Sequence, residues 1–343
     1  MKKLIECSFA ILIILSGLGY LTSHNNSYSM NGMLTPNNKS EEIYSPRYIK
    51  TAIVKNYKIT GEKLDYYEHP PQRVLVIGEG LNEMLVALGV EDNIICAAVY
   101  YNPYYHPEKE NEEKFYKLPF VKASSINPET VLAMHPDLIL SGQVYFSKKN
   151  LKDTEFWNAR GTHTYLDENA NMPTGRVYTE SLETEYQFIL GLGKIFGKEK
   201  RAGEMISHCK KTIKEINEKA KYLPKPKVLF IEDFGNSLIT YDDTKLAGDM
   251  CMKIGGIVPH NPWGRINAES IIEEDPDVIF IVKSGGDPDK AVLDFEARPG
   301  MNNLRAVQNG RIYGIGLDYM YNSNVKTEAG IRKIASGMYP DIY

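Results

Sequence analysis

Short runs of aliphatic residues alternate with helical patterns along most of the chain. Residues 73–77, 94–99 and 138–140 have the unbroken apolar character of strands buried in a parallel sheet, and a helical pattern over 82–88 separates the first two. Strand-like runs return at 228–231 and again at 278–282. Alternation of strands with helices is typical of βαβ units, so the pattern predicts an α/β protein with two Rossmann-like lobes, each with a central parallel sheet.

One long amphipathic helix separates the two groups of strands. Apolar side chains recur at helical spacing from Ala202 to Leu223, where Pro224 ends the run. A helix of this length is a rod of roughly 33 Å, about the diameter of a small domain. The sequence therefore predicts an N-terminal lobe over 46–178, a bridging helical segment over 179–224 and a C-terminal lobe over 225–343.

The first residues follow the pattern of an export signal. Lys2 and Lys3 precede an apolar run from Phe9 to Leu15, and residues 24–45 are rich in Asn, Ser and Gly, which predicts a flexible tether. We predict that residues 1–23 are either a cleaved signal peptide or an N-terminal membrane anchor. Both place the folded part outside the cytoplasm, at the cell surface or in a periplasm.

Composition narrows the class of function. The 343 residues include 40 basic and 44 acidic side chains, a formal charge of -4 that does not favour nucleic acid as a partner. Cys7, Cys96, Cys209 and Cys251 show no CxxC spacing, so we expect neither a disulfide framework nor structural zinc. Residues 78–83 follow a strand and open a helix as a dinucleotide site does, but Glu83 stands where the third glycine belongs. The carboxylates of Glu79 and Glu83 would also repel a pyrophosphate, so a dinucleotide site is not expected here.

An internal repeat supports the two-lobe interpretation. Residues 126–140 align without gaps on residues 266–280, with six of the fifteen positions identical. Each copy reads as an Asn cap, a short helix and a Pro-Asp turn into a buried strand. Each copy also places a glutamate, Glu129 or Glu269, in the first turn of its helix.

Several segments, in this order and spacing, resemble the substrate-binding proteins of ABC importers for iron-siderophore complexes, haem and cobalamin. The resemblance begins near residue 73 and is carried by the segments 82–90, 126–140, 266–280, 298–301, 306–313, 334–335 and 339–340. It implies a monomeric, non-catalytic receptor whose ligand binds in a cleft between two lobes joined by one long α-helix. It also implies that Glu129 and Glu269 dock on arginines of the membrane permease. Relatives from single-membrane bacteria usually carry a lipobox cysteine, which Leu18 replaces here.

The ligand is expected beyond the carboxyl ends of the strands, where the loops of an open parallel sheet form a crevice. Aromatic rings suit stacking on a chelate, porphyrin or corrin, and His106 or one of the tyrosines suits direct ligation of iron. Arg265 and Lys283 suit an anionic chelate. The predicted ligand-binding residues are Tyr101, Tyr104, Tyr105, His106, Tyr145, Tyr241, Trp263, Arg265 and Lys283.

Three cargoes and one enzymatic alternative stay open at this point. A ferric siderophore is favoured by the phenolic and cationic residues, and haem by the availability of Tyr and His as axial ligands. The cobalamin alternative depends on Trp263, because cobalamin binders carry a tryptophan six residues before the second docking glutamate. A cleft metalloenzyme of chelatase-like fold is the other class; it needs a ligand set that the spacing of the seven histidines does not provide. No resident cofactor is expected.

Overall fold

The computed structural model describes residues 44–167, 169, 179–261 and 264–343. The predicted export segment and nearly all of the predicted tether lie outside the described residues, and so does Trp263. None of the helices in the described ranges is both long and apolar enough to cross a membrane.

The N-terminal lobe contains a five-stranded sheet in which every strand runs parallel, in the order β5-β4-β3-β6-β7. An antiparallel hairpin, β1 (Arg47–Lys55) and β2 (Lys58–Tyr67), precedes it. The sheet strands are β3 (Val74–Ile77), β4 (Ile94–Val99), β5 (Phe120–Lys122), β6 (Leu138–Gly142) and β7 (His163–Asp167). The helices between them are α1 (Glu79–Leu88), α2 (Glu112–Phe115), α3 (Pro128–Met134) and α4 (Thr154–Asn158).

The central strands are apolar throughout because both faces of each sheet are covered. In β3, Val74 and Val76 pack into one hydrophobic core, whereas Leu75 and Ile77 pack into another on the opposite face. Successive strand residues point to opposite faces, so a two-sided core demands an unbroken apolar run. The predicted strands are thus confirmed to within a residue or two.

The C-terminal lobe differs from the predicted parallel sheet, because its sheet is mixed. β8 (Val228–Asp233), β11 (Val278–Lys283) and β12 (Ile312–Gly316) are parallel, whereas β9 (Leu238–Thr240) and β10 (Arg265–Ile266) run antiparallel to their neighbours. The turn between β8 and β9 contains Gly235 at φ 81° and is too short for a crossover, so β9 returns beside β8. The helices of this lobe are α7 (Leu246–Lys253), α8 (Ala268–Glu274), α9 (Pro288–Glu296), α10 (Arg305–Gln308) and α11 (Thr327–Met338).

Two long helices, rather than one alone, connect the lobes. α5 (Leu182–Phe196) ends at Gly197, whose φ of 64° is left-handed, and α6 (Glu199–Lys219) returns antiparallel beside it. The predicted bridging helix is α6, and α5 occupies the earlier part of the predicted bridging segment. The prediction of two lobes with a long helical connection is confirmed, with this doubling as the difference.

Each long helix contacts both lobes. At the start of α5, the Leu182 amide donates to Asp249 of α7 at 2.8 Å, and further along the Phe188 ring stacks on Tyr165 of β7 with centroids 5.3 Å apart. In α6, Arg201 Nε donates to the carbonyl of Ala87 at 2.9 Å, and Asn217 Nδ2 donates to the Lys253 carbonyl at 2.8 Å. A pair of antiparallel rods in contact with both lobes resists bending more than a single strand crossover does, so it favours a small hinge motion.

The repeat corresponds to matching structures in the two lobes. Asn127 caps α3 by accepting from the Thr130 amide at 3.0 Å, and Asn267 caps α8 by accepting from the Ser270 amide at 2.8 Å. The Pro-Asp turns also match. Asp137 accepts from the Arg73 amide before β3, and in the other lobe Asp277 accepts from the Lys227 amide before β8. The predicted caps are confirmed. Each repeat aspartate additionally fixes the entry of the first sheet strand of its lobe.

Candidate functional site: a cleft between the lobes

A cavity of about 590 Å³ lies between the two lobes. One wall is formed at the carboxyl ends of β3, β4, β6 and β7, and the other by residues that follow β11 and β12. This is the position at which an open parallel sheet binds its ligand, and the volume is in the range of small-molecule sites. The rings in the wall are Tyr100, Tyr105, Tyr145 and Tyr321, and the charged side chains are Glu79, Asp167, Lys283 and Asp318.

The predicted ligand residues divide between this wall and other places. Tyr105, Tyr145 and Lys283 line the cavity. Tyr104 and His106 line a neighbouring cavity of about 340 Å³, which also reaches Lys283. The tyrosine-rich loop after β4 therefore contributes to two adjoining spaces rather than to one.

Other predicted ligand residues lie away from the cavity wall. Tyr101 is 55% exposed and Arg265 is exposed on β10. Tyr241 packs behind Tyr321, with ring centroids 6.1 Å apart, and its hydroxyl donates to Glu232 at 2.6 Å. A contact between these three side chains and a ligand stays a prediction, as does the role of Trp263, which lies outside the described residues.

Two glutamates of α1 hold the tyrosine-rich loop in place. Glu79 Oε1 accepts from the amides of Tyr100 at 2.9 Å and Asn102 at 3.4 Å. Glu83 is fully buried and accepts from the Tyr105 hydroxyl, from the Glu108 amide at 2.7 Å and from Asn111 Nδ2 at 2.9 Å. The sequence showed only that both acidic groups disfavour a pyrophosphate here. Their positions in the first two turns of a helix that follows a strand end were the signal that they face the next loop.

The hydroxyl of Tyr105 donates its hydrogen bond to Glu83, and this determines whether Tyr105 can ligate iron directly. Burial, together with the adjacent Glu83 carboxylate, raises the pKa of Tyr105 well above its ordinary value. The hydroxyl therefore stays protonated and donates to Glu83 instead of binding a metal as phenolate. Tyr105 therefore lines the cavity as a neutral phenol.

Two polar atoms of the wall are buried without a hydrogen-bond partner among the described residues. One is the hydroxyl of Tyr145 in the N-terminal lobe, and the other is Oδ1 of Asn322 in the C-terminal lobe. A buried polar group without a partner is unfavourable by about 1–3 kcal/mol, so each of these side chains would gain from a hydrogen bond to a molecule in the cleft. Asn322 was not among the residues predicted from the sequence. It lies in the loop after the carboxyl end of β12, and the rule that found Tyr145, which follows β6, applies to that loop as well.

The electrostatics of the wall differ from the predicted cationic site. Lys283 reaches the cavity but Arg265 does not, and no arginine of the described ranges lines it. Glu79, Asp167 and Asp318 provide carboxyl groups in the same wall, and Asp318 is paired with the buried Lys326. Opposite charges of this kind suit a ligand with little net charge better than a strongly anionic one.

A cluster of three possible metal-ligating side chains lies elsewhere, near residue 260. Atoms of Asp242, Asp243 and His260 lie within 4.8 Å of one another. Asp242 already accepts from the amides of Thr244 at 3.0 Å and Asn261 at 2.8 Å, so this carboxylate organises the loop. The hydrogen bond that His260 Nδ1 donates to Asp243 at 2.7 Å raises the pKa of His260 above its usual value. The arrangement is explained by loop structure.

Glu129 and Glu269 are exposed in the first turns of α3 and α8 and do not line the cavity. Each helix buries a single apolar side chain, Val131 or Ile271, against its lobe. The rest of each helix face is open to solvent or half-buried. Equivalent exposed surfaces on the two lobes are compatible with the docking role that the resemblance implies, which stays a prediction.

The chain is similar in sequence to known binding proteins. Residues 74–319 match the model of a family described as periplasmic binding protein. In Bacillus subtilis, the uncharacterized ABC transporter substrate-binding lipoprotein YvrC is 27% identical over 80% of this chain and 82% of its own length. The iron(3+)-hydroxamate-binding protein FhuD of the same organism is 25% identical over 80% of this chain and 83% of its own length.

Solved structures agree with the sequence comparison. A periplasmic binding protein from Veillonella parvula superposes with a TM-score of 0.77 at 25% identity, covering 87% of this chain and 93% of that one. The family match spans most of the described residues and includes residues of both walls of the cleft. The chain belongs to the periplasmic binding protein family, whose members are solute-binding components of transport systems and not enzymes.

Proposed function

We propose that this protein captures an iron chelate in the cleft between its lobes and delivers it to the permease of an ABC importer. A ferric siderophore is the favoured cargo, and the protein acts outside the cytoplasm. The observation that carries the proposal is a cavity of about 590 Å³ between the two lobes, lined by tyrosine rings and polar side chains from both of them. Tyr145 and Asn322 of its wall each carry a buried polar atom without a partner among the described residues, so a small movement toward a polar molecule in the cavity would let both form hydrogen bonds.

The charges in the wall support a chelate with little net charge. Ferric ion bound by three hydroxamates is electrically neutral, whereas ferric ion bound by three catecholates carries three negative charges. Lys283 is the wall's single basic side chain among the described residues, against carboxyl groups at Glu79, Asp167 and Asp318. The relative named as an iron(3+)-hydroxamate-binding protein supports the same choice.

Haem and cobalamin are the alternative cargoes within the same fold. Solved structures with a similar fold include a haem-binding protein from Roseiflexus and a vitamin B12-binding protein from Vibrio cholerae, both at 17% identity. In this cleft the Tyr105 phenol is held by Glu83, and His106 lines the neighbouring cavity, so neither is placed as an axial haem ligand in the main cavity. The iron of a siderophore needs no ligand from the protein.

Isothermal titration of the folded protein tests the proposal directly. We expect a ferric tris-hydroxamate to bind more tightly than a ferric tris-catecholate, haem or cyanocobalamin. The variant Tyr145→Phe should weaken that binding roughly threefold to tenfold while slightly stabilising the ligand-free protein, because it removes a buried hydroxyl without a partner. Tyr116→Phe is the matched control, since Tyr116 is 56% exposed and lies outside the wall, and it should change neither quantity. Absence of binding by all four compounds would overturn the proposal.

A further inference from the structure

The segment from Leu317 to Lys326, which joins β12 to α11, crosses from the C-terminal lobe to contact the N-terminal lobe. We call it the seam loop. The amide of Ser323 donates to Asp167, the last residue of β7, at 2.9 Å. Asn324 lies so close to the start of α1 that a β-carbon on Gly80 would stand 2.5 Å from Asn324 Nδ2. The seam loop therefore packs against the N-terminal lobe, and several of its residues line the cavity.

The seam loop ends in a lysine that is almost completely enclosed. Lys326 is 1% exposed, and its ammonium group is paired with Asp318 of the same loop. The same ammonium lies 4.0 Å from the ring centroid of Tyr105 in the N-terminal lobe and 5.0 Å from that of Tyr319. Tyr105 is in turn tied to the buried Glu83 through its hydroxyl. A continuous buried chain of contacts thus runs from one lobe to the other.

Fold stability alone does not explain why the buried ammonium group of Lys326 is present. Enclosing an ammonium group carries a large desolvation penalty, and apolar residues of similar volume often stabilise a fold at least as well as a buried ion pair. The interaction of a cation with an aromatic face is stronger when it is desolvated, and it is lost when the cation leaves the ring. Such a contact favours one relative position of the two lobes over others.

Tyr105 and Asp318 are also wall residues of the cavity, one from each lobe. We propose that Lys326 is a positioning residue that sets the width of the cleft by holding Tyr105 of one lobe and Asp318 of the other. The effect of Lys326 on ligand binding depends on the proposed function, but its effect on the arrangement of the lobes can be measured without ligand. Loss of the ammonium group should allow the seam loop to separate from the N-terminal lobe.

Hydrogen exchange of the ligand-free protein tests the lobe arrangement. In Lys326→Met, we expect the Ser323 amide to exchange at least tenfold faster, because its acceptor Asp167 belongs to the other lobe, while amides of β11 keep their protection. Lys227→Met is the matched control. Lys227 is paired with Glu274 at 3.1 Å and does not line the cavity, so its loss should leave Ser323 unchanged.

A double-mutant cycle identifies the contact responsible. Tyr105→Leu and Lys326→Met should each accelerate Ser323 exchange, and together they should do little more than either alone, since both remove one interaction. Tyr105→Phe keeps the ring and should retain most of the protection. If Lys326→Met does not fold, Tyr105→Leu and Asp318→Asn carry the exchange measurement.

The ligand arm uses a ferric tris-hydroxamate as the probe. Binding should weaken at least tenfold in Lys326→Met and stay within twofold of the parent in Lys227→Met. Ser323 exchange within twofold of the parent in Lys326→Met, or purely additive effects in the cycle, would overturn the inference. Failure of the parent protein to bind the probe would count against the proposed function, and the exchange result would still decide the role of Lys326.

Discussion

Asp167 is a buried carboxyl group at the point where the two lobes and the cavity meet. Its oxygens accept from the amides of Asn169 at 3.1 Å and Ser323 at 2.9 Å. Burial raises its pKa from 3.8 to about 7, and the nearby Glu180 adds to the increase, although the two amides oppose it. The protonation state of one residue therefore changes at the seam between the lobes near neutral pH.

Stability should depend on pH through this residue. The folded protein binds the Asp167 proton more tightly than the unfolded chain does, so the contribution is fully present below pH 3.8 and is lost as the pH rises to about 7. The loss is at most on the order of 4 kcal/mol. Asp167→Asn should remove this part of the pH dependence, and it should be about 1 kcal/mol less stable than the parent at pH 4, because an amide oxygen replaces only one of the two acceptors.

Urea unfolding between pH 4 and pH 8 measures the effect. The stability curves of the parent and Asp167→Asn should approach each other or cross as the pH rises. Both proteins retain Glu180 and Glu185, the neighbouring buried carboxyl groups with raised pKa, so the difference between the two curves reports Asp167 together with its interaction with them. Parallel curves over this range would show that Asp167 does not titrate there.

At the scale of elements, α5 and α6 pack unusually closely near their connecting turn. A β-carbon on Gly193 of α5 would stand 2.6 Å from the β-carbon of Ala202 and 3.3 Å from the backbone of Glu199. Gly203, also in α6, has open space where its β-carbon would lie. The two glycines share a helical conformation and differ only in what surrounds them.

Opposite effects on stability are expected at these two positions. Gly203→Ala should stabilise the protein by about 1 kcal/mol, because alanine is the better helix former. Gly193→Ala gains the same helix propensity, but the backbone of Glu199 cannot move aside without separating the helices, so we expect a net loss of about 1–3 kcal/mol. Chemical denaturation of both variants measures the difference. Stabilisation by Gly193→Ala would show that the two helices separate readily.

Regular elements were predictable from the sequence where one physical rule dominated. The buried strands follow from unbroken apolar runs, and the repeat placed α3 and α8 with their Asn caps in both lobes. The antiparallel strand β9 was missed because its direction depends on a short turn rather than on the strand's own residues. α5 was not separated from α6 because its end depends on one glycine, Gly197, in a left-handed conformation.

The candidate site was predictable only in part. Loops after strands gave Tyr105, Tyr145 and Lys283, since position along a parallel sheet fixes which residues reach the crevice. Lys326 and Glu83 carry no recognisable motif, and their burial depends on contacts between segments far apart in the chain. A lysine in a loop is usually exposed, so its enclosure between two rings appears only when both lobes are in place.

At the scale of the whole molecule, the duplicated lobes present two similar surfaces. Glu129 of α3 and Glu269 of α8 are exposed, and an exposed aliphatic side chain follows each of them three residues later, Leu132 at 37% and Ile272 at 47%. Residues three apart lie on the same side of a helix. Each lobe thus offers a carboxylate beside an apolar side chain, a combination suited to a basic partner surface that is partly apolar.

Removing both carboxylates should separate ligand capture from delivery. We expect the double variant Glu129→Gln with Glu269→Gln to bind a ferric tris-hydroxamate as the parent does, because neither residue lines the cavity, while uptake of the iron by cells falls at least tenfold. Each single variant should retain part of the uptake, since one of the two contacts remains.

The control pair is Glu113→Gln with Glu218→Gln, whose side chains are 85% and 67% exposed on other helices, and it should leave uptake unchanged. Uptake is measured with radioactive iron in cells that express each variant as their sole copy. If the double variant lost ligand binding, or if it kept full uptake, these glutamates would not be the docking residues.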